Sequence, residues 1–169
     1  MYNTREPEYY NYLQEHVRNV HRAWEEMLFP VVVEKYPEQW KQISQDIAEH
    51  DASKYSEAEF DAYCNYFYPT EDCPKNEAAF DLAWNHHQKA NPHHWQYYVL
   101  VQDNGHTKVL DMPISDIVCM LADWHSFSAK DRSSTAYNWY HKNKGNMNLS
   151  INTRIVVEDL IEYLKEPLR

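Results

Sequence analysis

The chain has 169 residues, of which 43% are hydrophobic and 15% aromatic, and it carries a formal net charge of −10. That length is enough to bury a real core, while the acidic balance excludes tight sequence-independent binding to duplex nucleic acid, which needs a basic surface to displace counterions. Only two glycines, Gly105 and Gly145, leave little material for the tight turns of a β-sandwich or barrel. The expected fold class is therefore all-α, as a single domain over residues 1–169, with a small β-hairpin near residues 97–111. Cys64, Cys73 and Cys119 show neither metal-binding spacing nor an even-numbered framework, so they read as thiols of a reducing compartment. No signal-peptide pattern opens the chain and no apolar run reaches spanning length. A cytoplasmic protein without a membrane partner is expected, and a homo-oligomer is compatible with the composition.

Pro7 opens a first helix running to about Phe29, in which Leu13, Val17, Val20 and Trp24 form an apolar stripe with His16 at its border. Pro37 opens a second, whose Trp40, Ile43 and Ile47 recur at helical spacing before it ends at His50-Asp51. Ser56 followed by Glu59 reads as a capping box for a third helix carrying Phe60, Tyr63, Cys64 and Phe67. Pro69 to Pro74 is a loop. Asn76 is suited to cap a fourth helix reaching about Lys89, with Phe80, Ala83 and Trp84 on its apolar face and His86-His87 near its end. Pro92 breaks it and places His93-His94 at the start of the next segment. Asp103-Asn104-Gly105 between Tyr97–Val101 and Thr107–Leu110 suits a hairpin turn. Pro113 and Ser115 start a helix in which Asp123 lies among Ile114, Ile117, Met120, Leu121 and Trp124, where an unpaired carboxylate is costly to bury. Helices near 135–142 and 150–165 follow, the last with Ile151, Ile155, Val156, Leu160 and Leu164 assigned to one face.

Histidine and aspartate are the side chains that hold borderline divalent metals, and here they recur in order: His16, His50-Asp51, the two histidine doublets, and Asp123. The pattern His16-Val17-x-x-Val20, then His50-Asp51-x-Ser53-Lys54, then Asp123 in a later helix resembles the HD superfamily of metal-dependent phosphohydrolases over roughly residues 10–130. The resemblance implies an HD-type helical domain in which His16, His50, Asp51 and Asp123 bind one divalent ion. One histidine of each doublet would complete a second site, His87 and His94 being favoured over His86 and His93. The ions are one or two of Mn, Co, Fe, Zn or Mg.

The chemistry so implied is attack of metal-activated water on phosphorus, with Asp51 bridging two ions and a small phosphorylated molecule, a nucleotide foremost, as substrate. Family members often carry a lysine at the position of Lys54, which makes it a candidate for phosphate contact and catalysis; an exposed lysine at a helix end is the equal alternative. Lys130 and Arg132 are weaker candidates to clamp phosphate, and Glu15, beside His16, to orient water. Trp95, or the group Trp124, Tyr137, Trp139 and Tyr140, is a candidate platform for a nucleobase, although most aromatics of this chain must be core. Two other functions are compatible with the same ligands. One is a di-iron oxygenase of the kind represented by inositol oxygenase and certain phosphonate-cleaving enzymes. The other is a non-catalytic nucleotide sensor.

Overall fold

A computed structural model describes residues 2–169. It is all-α with one small hairpin. The first helix, α1 (Glu6–Arg22), does not stop near Phe29 but passes through a π-helical turn, Ala23–Leu28, into α2 (Phe29–Lys35). The wider turn explains the continuation. Phe29 N–H reaches back to Trp24 O, five residues away, so Pro30 falls in a first turn, where its missing N–H costs little.

After α3 (Trp40–Ala48), whose Ile43 and Ile47 are buried, the chain enters a short 3-10 turn, Ala52–Tyr55. Then come α4 (Phe60–Phe67) and α5 (Glu77–Ala90), the latter capped as expected by the Asn76 side chain, which accepts from Ala79 N. The Ser56–Glu59 capping box does not form. Neither side chain caps α4, and the Glu59 carboxylate is turned inward to two histidines.

Strands β1 (Val99–Val101) and β2 (Thr107–Val109) pair antiparallel with Leu100 opposite Lys108, and Gly105 supplies the positive φ of the connecting turn. The outer parts of the expected hairpin differ, since Trp95–Tyr98 forms a 3-10 turn.

Helix α6 (Ile114–Ser126) is the axis of the fold. Nine consecutive or near-consecutive side chains from Ile117 to Ser126 are buried, as expected of a helix covered all round, and α1, α3, α7 (Ala136–Asn143) and α8 (Ile151–Leu160) pack on it. In the last helix the buried stripe is Thr153, Val157 and Leu160, continued by Ile161 and Leu164. Ile151 and Ile155, expected on that face, are 70% and 60% exposed. The reason is helical phase together with Thr153, whose hydroxyl is drawn inward to accept Met112 N.

Two apolar clusters result. The larger surrounds α6, and a smaller one joins Tyr9 and Leu13 of α1 to Tyr63 and Cys64 of α4 and Ala83 of α5. Among the described residues no helix is long and apolar enough to cross a membrane.

Candidate metal centre

Each histidine and aspartate of the site is placed by a local feature of its element. His16 lies on the inner face of α1, three residues after Leu13, and is 6% exposed. His50 follows the last turn of α3. Asp51 takes φ 59°, ψ 19°, and is the one described residue other than glycine at positive φ. That left-handed conformation is unfavourable for a side chain other than asparagine or aspartate. It reverses the chain so that His50 and Asp51, adjacent in sequence, face the same interior point. His87 shares the buried face of α5 with Ala83, one turn earlier. Asn91 and Pro92 end that helix and return His93 and His94 to the same point. Asp123 comes from the middle of α6.

The two oxygens of Asp51 look at different groups. Oδ2 is 3.3 Å from His16 Nε2 and 3.6 Å from His50 Nε2, whereas Oδ1 is 3.3 Å from His87 Nε2 and 3.5 Å from His93 Nε2. Asp123 Oδ1 stands 3.2 Å from His16 Nε2 and 3.7 Å from His50 Nε2. Donors that each lie about 2.0–2.2 Å from one ion are separated from one another by roughly 3 to 3.6 Å, which is this spacing. Nor do these contacts align as hydrogen bonds: Nε2 of His16, His50, His87, His93 and His94 and Oδ1 of Asp51 are all buried without a hydrogen-bond partner.

So many orphaned buried polar atoms aimed at one region are costly unless an ion satisfies them. Three overlapping groups can each hold a metal ion: His16, His50 and Asp51; His50, His93 and Asp123; and Asp51, His87, His93 and His94, the donor atoms within each group all lying within 4.8 Å of one another. The residues fit a divalent cation.

The charges agree. Burial pushes the carboxyls of Asp51 and Asp123 up, but the neighbouring imidazoles, and Lys54 in the case of Asp51, outweigh it and hold both well below the usual carboxylate range. Burial pulls His16 down, yet Asp123 and Asp51 overcome it and raise the imidazole to about 9. His87 is raised in the same way by Asp51 and Glu59. His93 and His94 go the other way: burial, helped by neighbouring imidazoles, holds His93 well below its ordinary value and His94 at about 4, so both rings are neutral and offer a lone pair.

Outside this ring of donors stand the groups that orient them. Glu59, fully buried, accepts from His87 Nδ1 at 2.8 Å and from His86 Nδ1 at 2.7 Å. A carboxylate can only accept, so Nδ1 of His87 carries the proton and Nε2 is left as the donor facing Asp51. Ser126 Oγ lies 3.3 Å from His16 Nδ1 and orients that ring; a hydroxyl can donate or accept, so it serves either tautomer.

The candidates named from sequence sort as follows. His16, His50, Asp51, His87, His94 and Asp123 converge. So does His93, and the choice between His93 and His94 gives way to both. His86 does not reach the centre: its side chain is 49% exposed and bonded to Glu59, because it sits one residue, or about 100°, round α5 from His87. Lys54 is at the site, donating to Asp51 Oδ2 at 2.6 Å. Lys130 instead pairs with Glu15 at 2.7 Å on the surface, and Arg132 is exposed, so neither is at the centre, and Glu15 is occupied elsewhere.

Glu59 and Ser126 were missed. In sequence Glu59 reads as a cap, since a polar residue just before an apolar run has that signature whether it is exposed or buried.

A cavity of about 420 Å³ opens on His93, His94 and Asp123, walled chiefly by Trp84, Trp95, Trp124, Phe127 and Trp139. Of the expected aromatic platform, Trp95, Trp124 and Trp139 line it, whereas Tyr140 is fully buried in the main core.

Against known proteins, residues 5–163 match a family of unknown function, DUF5662. The chain belongs to that family. No curated protein and no solved structure matches. Within this family the chain carries a helical scaffold and a buried His/Asp cluster compatible with the HD resemblance.

Proposed function

We propose that this chain is a metal-dependent phosphohydrolase acting on a small phosphorylated molecule, a nucleotide foremost. The observation that carries the reading is the division of Asp51, one oxygen toward His16 and His50 and the other toward His87 and His93. Asp51 would then serve both ion sites, with His16, His50 and Asp123 holding one ion and His87, His93 and His94 the other. Bound divalent cations would neutralise phosphoryl oxygens and lower the pKa of water toward neutrality.

The chain's own residues supply the rest. The Lys54 ammonium, partly buried beside Asp51, can turn to a phosphoryl oxygen that approaches the same carboxylate. Glu59 keeps His87 in the tautomer whose Nε2 lone pair faces inward, and Ser126 orients the His16 ring. The tryptophan-walled cavity holds a planar or apolar body against the centre and excludes bulk water from one side.

A di-iron oxygenase is the second reading, favoured by the excess of imidazole over carboxylate, five rings to two, since imidazole suits Fe as well as Zn or Mn. Elemental analysis of protein purified without chelator, followed by phosphate release from a panel of nucleotides and phosphoesters with Mn²⁺ or Co²⁺, tests the proposal. Phosphate release that chelation abolishes is expected. Oxygen consumption with a phosphonate or polyol, with no phosphate released from any ester, would replace the hydrolase by the oxygenase.

A further inference from the structure

A second cavity approaches the metal centre through Lys54. About 390 Å³ in volume, it is lined by Tyr9, Tyr12, Tyr63, Tyr68 and Phe67, with Lys54 among its walls. It nearly equals the tryptophan-walled cavity in size and, like it, is built of rings. Lys54 bonds to Asp51 Oδ2, so this one side chain links the cavity to the carboxylate that the histidines surround, while the tryptophan cavity is lined by His93, His94 and Asp123 themselves.

Both carry polar atoms that have no partner. Tyr9 and Tyr63, 1% and 6% exposed, have hydroxyls without a hydrogen-bond partner, and Gln96 of the tryptophan cavity has an unsatisfied buried Oε1. A metal-centre histidine stands between residues of the two. A pocket of about 20 Å³ beside His16 shares Tyr12 with one cavity and Phe127 with the other.

A phosphate monoester has one organic substituent and needs one such chamber. We infer that the two cavities are the two arms of one substrate site and that the substrate is a phosphodiester, its phosphate at the His/Asp centre and one ring-bearing substituent in each chamber. The inference rests on the phosphohydrolase reading for its chemistry. The oxygen of water forms the new bond to phosphorus as the P–O bond to one substituent breaks, and the water's proton ends on the departing oxygen, giving a monoester and an alcohol. Gln96 marks the tryptophan arm for a ring with an N–H edge, and the tyrosine hydroxyls mark the other arm for a polar group on its ring.

The test uses bis(4-nitrophenyl) phosphate and 4-nitrophenyl phosphate with the full chain and two variants, Trp139→Ala and Phe67→Ala. These truncate rings that are 39% and 56% exposed, one in each arm, and leave the buried core untouched. Binding is read calorimetrically on the Mn²⁺-loaded protein, from the fast heat of each injection, and hydrolysis on the same protein from the release of 4-nitrophenolate. Each variant is expected to weaken the diester by roughly five- to tenfold, the loss of one ring contact, whereas the monoester responds to only one of them.

A diester affinity that either variant leaves unchanged removes that chamber from the site and overturns the inference. Hydrolysis of the monoester alone by the loaded protein overturns it too, with the phosphohydrolase reading intact. If both variants weaken the diester and neither ester is cleaved, the two-armed site stands and the hydrolase reading falls.

Discussion

Asp51 shows at the scale of one residue how sequence and strain serve a site. A left-handed conformation costs an ordinary residue on the order of 1 kcal/mol or more, and here it turns adjacent ligands to one point. His16, His50, Asp51 and Asp123 were legible in sequence because each is a polar group set on or beside an apolar helical stripe. Glu59 was not, since the signature of a surface cap and that of a buried acceptor are the same letters. Its structural role leads to a prediction: Glu59→Gln, which keeps size but no longer forces the proton onto His87 Nδ1, should lower metal affinity by about 10- to 100-fold while the helical circular dichroism is retained. Unchanged affinity in a metal titration would remove Glu59 from the centre.

His16 gives the pH dependence. Its imidazole is raised from 6.5 to about 9 by Asp123 and Asp51 despite burial. In metal-free protein the stabilising proton is therefore fully in place below pH 6.5 and is lost as pH rises through about 9. A metal needs the neutral ring, so binding expels that proton, and affinity should rise with pH over the same window by on the order of tenfold per unit, then level off. A pH-independent dissociation constant between pH 6.5 and 8.5 would show that His16 is not a ligand.

Among the elements, those with a marked apolar pattern and a proline or asparagine shortly before them were readable: α3, α5 and α6, and the hairpin with its Asp103-Asn104-Gly105 turn. The π-helical turn was not, because it depends on how Trp24 and Leu28 seat in the core, and Pro30 by itself signals a stop. The doublets behaved differently from each other for the same reason of phase. Along α5 only one of two adjacent residues can face inward, which separates His87 from His86. In the extended turn after Pro92 both His93 and His94 can, and both do. Asn76 caps the helix that positions His87, so Asn76→Ala should cost about 1 kcal/mol, read as a lower urea midpoint at unchanged slope, and metal content should stay the same because the cap lies three turns from the ligand. An unchanged midpoint with metal retained would mean that α5 is held by the centre rather than by its own cap.

Across the whole molecule, the centre lies where the large core around α6 and the smaller α1/α4/α5 cluster meet, and ligands come from both sides of that junction: Asp123 from an element of the first, His87 from an element of the second, and His16 from α1, which contributes to both. Without a cation the junction contains unpaired imidazole nitrogens and ionised carboxylates, which is an expensive way to join two apolar clusters. An ion that binds the folded chain and not the unfolded one stabilises it by mass action, about 2.7 kcal/mol at a hundredfold excess over the dissociation constant. For a chain of this length each kcal/mol raises the melting temperature by roughly 2–4 °C, so saturation with the right metal should raise it by about 5–10 °C, and a chelator should reverse the gain. Because the ligands span both clusters, Asp123→Ala and His87→Ala should each abolish most of that rise although they sit on different elements. A melting temperature indifferent to Mn²⁺, Co²⁺, Zn²⁺ and Fe²⁺ alike would mean that the protein tolerates its buried polar junction unaided, and the metal reading of the site would have to be abandoned.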